Sequence, residues 1–189
     1  MVKTVLITGG ARSGKSSFAQ ELARASGGPV LFVATAEARD EEMLKRIEAH
    51  RRARPAAWQT LEATTHIGSQ VSAWSGQVGT VIVDCITLLL NNIFLKHAGL
   101  ETKGETEAAL IEKEVMEEID ELVSSVGQVA ARFIIVTNEV GLGLVPANRT
   151  GRLYRDLLGK ANQVLAGCAD EVYLMVAGIA VRIKSASTS

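Results

Sequence analysis

The sequence predicts an α/β fold, a mainly parallel sheet with helices on both faces and a C-terminal antiparallel hairpin. Three observations point there. Short apolar runs rich in β-formers occur at 2–8, 30–35, 80–84 and 133–136, without the polar alternation of a half-exposed strand. Helical segments lie between them, and strands alternating with helices imply parallel pairing. Near the end, two strand-like runs at 171–176 and 179–183 flank Ala177 and Gly178, as in a hairpin.

The 189 residues fit one domain, expected over 1–184, with 185–189 as a frayed tail. Aromatics are only 4% of the chain, so Val, Ile, Leu and Ala must fill the core. A net charge of −1 argues against an electrostatic grip on nucleic acid or on an anionic membrane. Cys85 and Cys168 lack metal-ligand spacing and read as free, buried thiols of a reducing compartment. The apolar run after Lys3 breaks at Gly9 and Gly10, too short for an export or membrane segment. A cytoplasmic protein is expected.

Taken in order, the first strand stops at glycines and a helix follows over 16–25. After the strand at 30–35, residues 40–54 read as a helix. Asp40, Glu41 and Glu42 occupy its first turn and Arg51, Arg52 and Arg54 its last, which complements the helix dipole, and Pro55 ends it. A short strand at 58–62 and a short helix at 66–74 precede the strand at 80–84. The segment 86–97 reads as a largely buried helix, and 98–106, with Gly99 and Gly104, as a flexible connection. Over 107–125 an amphipathic helix is expected, with Leu110, Val115, Ile119 and Leu122 facing inward. A Gly- and Pro-bearing loop at 140–150 separates the strand at 133–136 from a helix at 151–166.

Gly9, Gly10, Ala11, Arg12, Ser13, Gly14, Lys15 and Ser16 match G-x-x-x-x-G-K-[ST] without a gap, between a predicted strand and a predicted helix. The glycines allow backbone angles and close approaches that a side chain forbids. Successive N–H groups and the following helix N-terminus then surround phosphates. Lys15 supplies a point charge to the terminal phosphates, and the Ser16 hydroxyl can ligate Mg²⁺. Asp84 closes the apolar run at 80–84, and a carboxylate at the C-terminal end of a parallel strand lies on the ligand side of such sheets. It suits the Mg²⁺ site; the competing role is an N-cap for the helix at 86.

A phosphate cradle fixes the nucleotide and leaves the chemistry open. The guanine-reading N-K-x-D motif of switch GTPases is absent at 137–140. Met43, Ile47, His50 and Arg54 are spaced by four, three and four, so they share one helix face. Taken alone, a histidine on such a face is more often structural.

The sequence resembles the bifunctional adenosylcobinamide kinase/adenosylcobinamide-phosphate guanylyltransferases of cobalamin biosynthesis. The matching pieces are Ile7 to Ser16, Ala34-Thr-Ala36, and Arg46-Ile-Glu-Ala-His50 continuing to Arg54-Pro55 and Trp58. Asp84-Cys-Ile-Thr87, Thr137-Asn-Glu-Val-Gly141, Val145-Pro146, Asn148-Arg149, Asn162-Gln163, Ala169-Asp-Glu-Val172 and Gly178-Ile179 follow. The His-centred helix and the T-N-E-V-G loop are the specific parts.

The resemblance implies a RecA-like P-loop fold, commonly a homotrimer, with two activities. One phosphorylates adenosylcobinamide from ATP or GTP with Mg²⁺. The other transfers GMP from GTP to the resulting phosphate by way of a guanylylated histidine, which by position is His50. Residues matching the family's nucleotide site are Gly9 to Ser16, Ala34, Thr35, Ala36, Arg51, Arg52, Ala53, Arg54, Glu62 and Asp84, with Ser16 and Asp84 at the metal. His66 and His97 fit the nucleophile's place less well. The rival readings are a single-function small-molecule kinase and a non-catalytic nucleotide-dependent binding module.

Overall fold

The computed structural model of the protein describes residues 3–97 and 105–186, apart from the side chains of Glu42, Arg46, Ala53 and Glu105. Most of the connection expected at 98–106, and residues 187–189 of the tail, lie outside the described residues. The element order is β1 (Thr4–Gly9), α1 (Lys15–Ser26), β2 (Val30–Ala34), α2 (Glu41–Ala53), β3 (Gln59–Glu62) and α3 (Ile67–Ser72). It continues with β4 (Thr80–Asp84), α4 (Ile86–Lys96), α5 (Glu105–Gln128), β5 (Arg132–Val136), α6 (Arg149–Cys168), β6 (Glu171–Val176) and β7 (Ile179–Lys184).

The strands form a seven-stranded sheet in the order β3-β2-β4-β5-β1-β6-β7. Every pairing is parallel except β6 with β7. Parallel strands send all their C-termini to one edge, so the loops after β1, β2, β4 and β5 gather there. The carboxylate strand β4 and the cradle strand β1 flank β5, which places their C-termini two strands apart.

Side chains alternate across the sheet, and each face has its own core. On one face Leu6, Leu31, Val33, Val81, Val83, Phe133 and Ile135 pack against α3, α4, α5 and α6. On the other, Val5, Ile7, Val30, Phe32, Ile82 and Ile134 pack against Ala19 and Ala23 of α1. Small residues on α1 let that helix lie close over the central strands. Asp40 caps α2, its Oδ1 accepting from the Met43 N–H at 2.7 Å.

Two expectations need correction. Leu110 of α5 is 46% exposed, and Ile111 takes its place inside. The spacing gives the reason: Ile111, Val115, Ile119 and Leu122 step by four, four and three along one stripe, whereas Leu110 stands five from Val115. Cys168 is exposed in the last turn of α6; only Cys85 is buried. Among the described residues no helix is long and apolar enough to cross a membrane.

Candidate active site

β1 delivers the chain to the cradle, and two glycines make the turn possible. Gly9 has φ 146°, and a Cβ there would stand 2.5 Å from the Met175 carbonyl oxygen of the neighbouring strand. Gly14 has φ 94°, in the left-handed region, and starts α1. Gly10, Ala11 and Arg12 are exposed at the bend, and Ser13 is buried beneath it. Lys15 is buried, with its Nζ donating to the Gly10 carbonyl at 2.5 Å and to Ser13 Oγ at 3.5 Å. The ammonium is thus folded back inside the loop that would surround a phosphate.

Beside the cradle, a cavity of about 60 Å³ lies between α2 and the sheet. Ser16 joins it to the phosphate loop. Phe32, Ala34 and Ala36 line it from β2 and the residues that follow, and Asp84, Cys85 and Leu88 from the β4–α4 junction. Met43, Ile47, His50 and Arg54 close it from α2 and its C-cap, so the helix face read from their spacing is the face turned to the site.

Charge is concentrated on the wall. Asp84 Oδ2 is buried and has no hydrogen-bond partner among the described residues. Burial pushes the Asp84 pKa above the usual carboxylate value, against the pull of the Ser16 hydroxyl and of the charges on His50, Arg54 and Lys15. The capping role for Asp84 is not taken up: α4's N-cap is Cys85, with no side-chain cap. Arg54 stacks its guanidinium 3.7 Å from the centre of the Phe32 ring. Burial there lowers its pKa from the ordinary value, with Asp84 opposing the change. Burial also raises the Cys85 thiol to about 11, so it stays protonated and unreactive at neutral pH.

Not every expected residue lines the cavity. Thr35 is fully buried behind it, its hydroxyl held by the Cys85 backbone. Arg51 and Glu62 form an exposed ion pair with each other across the α2–β3 edge. Arg52 points to solvent, 4.0 Å from Glu48. Ala53 ends α2, and its side chain is outside the described set. His66 caps α3 beside Glu121, and the buried His97 ends α4 with Nε2 3.3 Å from Glu114. Both stand outside the cavity lining.

The sequence reading passed over Phe32, Cys85 and Leu88 as site residues. Phe32 had a usable signal, since it stands two residues before Ala34 on one strand and so faces the same side. Leu88 carried no such signal, because nothing local distinguishes it from the core leucines around it.

Residues 5–183 match the family described as cobinamide kinase / cobinamide phosphate guanyltransferase. The chain belongs to that family. It is 39% identical over 180 residues, 95% of this chain and 99% of the relative, to the bifunctional adenosylcobalamin biosynthesis protein CobU of Salmonella typhimurium. The protein of the same name from Escherichia coli K12 is similar at 39% over the same coverage. The bifunctional adenosylcobalamin biosynthesis protein CobP of Pseudomonas aeruginosa is similar at 38% over 179 residues, 95% of this chain and 96% of the relative. Membership bears out the resemblance read from the motifs, and the fold is of the P-loop type. The matched stretch spans the cradle, α2 and every residue that lines the cavity.

Proposed function

We propose that this chain phosphorylates adenosylcobinamide from ATP or GTP, then moves GMP from GTP to that phosphate through a guanylyl intermediate on His50. The observation that carries this reading is the shared cavity. His50 faces Ser16 and Asp84 across it, at the end of a loop built to hold a triphosphate.

In the first reaction the acceptor hydroxyl attacks the γ-phosphorus, the bond from that phosphorus to the β–γ bridging oxygen breaks, the nucleoside diphosphate leaves, and the hydroxyl proton passes to solvent. Lys15 leaves its carbonyl and Ser13 partners for the phosphate oxygens, and the cradle N–H groups hold the triphosphate in line. In the second, an imidazole nitrogen of His50 attacks the α-phosphorus of GTP, the bond to the bridging oxygen breaks, and pyrophosphate leaves. The phosphate oxygen of the corrinoid then attacks the same phosphorus, the P–N bond breaks, and free imidazole returns. Arg54 stands on the same wall as His50, where its charge stabilises the negative charge that builds up on phosphate.

The residues present suit a divalent cation. A buried carboxylate oxygen without a partner, next to a serine hydroxyl, is an incomplete oxygen site, and Mg²⁺ takes oxygen ligands. Asp84 and Ser16 would hold it, and when bound it neutralises charge between the phosphates.

Serving both the γ- and the α-phosphorus from one loop needs either a movement of α2 or a second pose of the nucleotide. The assembly read here is a homotrimer, supported by the apolar stripe of Ile179, Val181 and Ile183 that β7 exposes. Incubation with adenosylcobinamide and GTP labelled at the α- or the γ-phosphate tests the scheme. The γ-label should enter the corrinoid first and the α-label second. Entry of γ-label alone would favour the single-function kinase.

A further inference from the structure

The β2–β4 ladder ends at the pair Ala34 and Asp84, where both strands leave the sheet, β2 toward α2 and β4 into α4. Thr35 is the first residue after β2 and is fully buried. Its N–H donates to the Asp84 carbonyl at 3.3 Å. Its hydroxyl accepts from the Cys85 N–H and donates to the Cys85 carbonyl, each at 2.8 Å. Its own carbonyl accepts from Asn92 Nδ2 of α4 at 2.9 Å, and the same amide donates to the Thr64 carbonyl at 3.2 Å. Every polar group of Thr35 is committed to the backbone around Asp84 or to the helix that follows it. None is left to meet a nucleotide.

From these contacts we infer that Thr35 is a positioning residue for the metal-dependent steps. It fixes the Asp84 carboxylate against Ser16, at the point where the chain departs toward the helix bearing His50. The backbone ladder pairs Asp84 with Ala34 on one side and Val136 on the other and stops there; the threonine side chain extends the hold by one residue, to Cys85. A hydroxyl is required, because one atom must donate and accept at once. Valine fills the same volume and leaves the Cys85 N–H buried without its partner, while the Cys85 carbonyl keeps only the Leu89 N–H at 3.2 Å.

This inference rests on Asp84 as a metal ligand, and the test separates the two. Mn²⁺ binding in the presence of a non-hydrolysable GTP analogue, followed by electron paramagnetic resonance, is measured for wild type, Thr35→Val, Thr35→Ser and Asp84→Asn. Asp84→Asn should lose Mn²⁺ affinity; if it does not, the metal site and Thr35's role are both withdrawn. Thr35→Val should bind Mn²⁺ about tenfold more weakly, the lower end of the loss seen when a metal ligand's supporting contact is removed. Thr35→Ser, which keeps the hydroxyl, should stay near wild type. Affinity for the analogue without metal should be unchanged in both Thr35 variants. A cooperatively melting Thr35→Val with wild-type Mn²⁺ affinity would overturn the inference. So would a loss of metal-free analogue binding, which would make Thr35 a nucleotide contact. If Thr35→Val does not fold, Asn92→Leu decides. It removes the support of the Thr35 carbonyl and should weaken Mn²⁺ binding several-fold, and unchanged binding overturns the inference.

Discussion

Burial disfavours the charged form of Asp84, and its Oδ2 has no hydrogen-bond partner among the described residues. Asp84→Asn keeps the shape and removes the charge. It should raise the Mg²⁺ concentration needed for half-maximal rate by about tenfold or more, a shift read from rate against Mg²⁺. An unchanged curve would return Asp84 to a structural role. Lys15→Ala should lower both activities by about a hundredfold or more while leaving the melting temperature near wild type, since the lysine serves as a charge for phosphate and is no part of the apolar core. Steady-state assay and thermal melting of the same preparation check both halves. At this scale the sequence was informative wherever residue type dictates chemistry. The placement of Lys15, Ser16, Asp84 and the face holding His50 at one edge of the sheet could be read, because the glycine-rich motif, the end of an apolar run and the helix period each mark a position. Thr35 could not be separated from Ala34 and Ala36, because nothing local says which of three consecutive residues turns its side chain away from the cavity.

The elements near the site were legible for a related reason. A buried parallel strand needs an unbroken apolar run, and α2 needs opposite charges at its two ends, so both leave marks in the sequence. The interior of α5 was less legible. Leu110 and Ile111 are adjacent and equally apolar, and only the step of four from Ile111 to Val115, against five from Leu110, separates them. Contacts distant in sequence were invisible altogether. Asp170, before β6, accepts from the N–H groups of Lys3 and Thr4 at 2.7 and 2.8 Å and so ties the start of β1 to its neighbour. These backbone donors, Thr4 first, hold the Asp170 pKa below the ordinary carboxylate value despite partial burial. A lowered folded pKa means stability that is present above the unfolded pKa and lost as pH falls through the folded one. Asp170→Ala should therefore cost about 1–2 kcal/mol at neutral pH. The gap to wild type should close in strong acid, below the ordinary value of 3.8. Urea melts at several pH values measure this, and a gap independent of pH would contradict it.

Across the whole molecule, the parallel sheet gathers the cradle, Ala34, Ala36 and Asp84 at one edge, and α2 brings His50 to them. The opposite flank ends in β7, where Ile179 is 67% and Ile183 59% exposed. If that stripe joins copies into a trimer, Ile179→Asp should shift sedimentation equilibrium from three chains toward the 20.1 kDa monomer. A wild-type protein that sediments as a monomer would contradict the trimer. The sequence held no mark of that symmetry, because exposed apolar residues on an edge strand read the same as buried ones.

The central claim is that His50 carries GMP between the two substrates, and the most direct measurement needs no acceptor. The protein is incubated with GTP and Mg²⁺ alone, digested, and mapped by mass spectrometry. The account predicts one GMP per chain on a ring nitrogen of His50, lost in acid and stable in alkali as a phosphoramidate should be. It also predicts that His50→Ala forms no adduct yet still phosphorylates adenosylcobinamide. GMP on any other residue, or guanylyl transfer at the wild-type rate by His50→Ala, would contradict it.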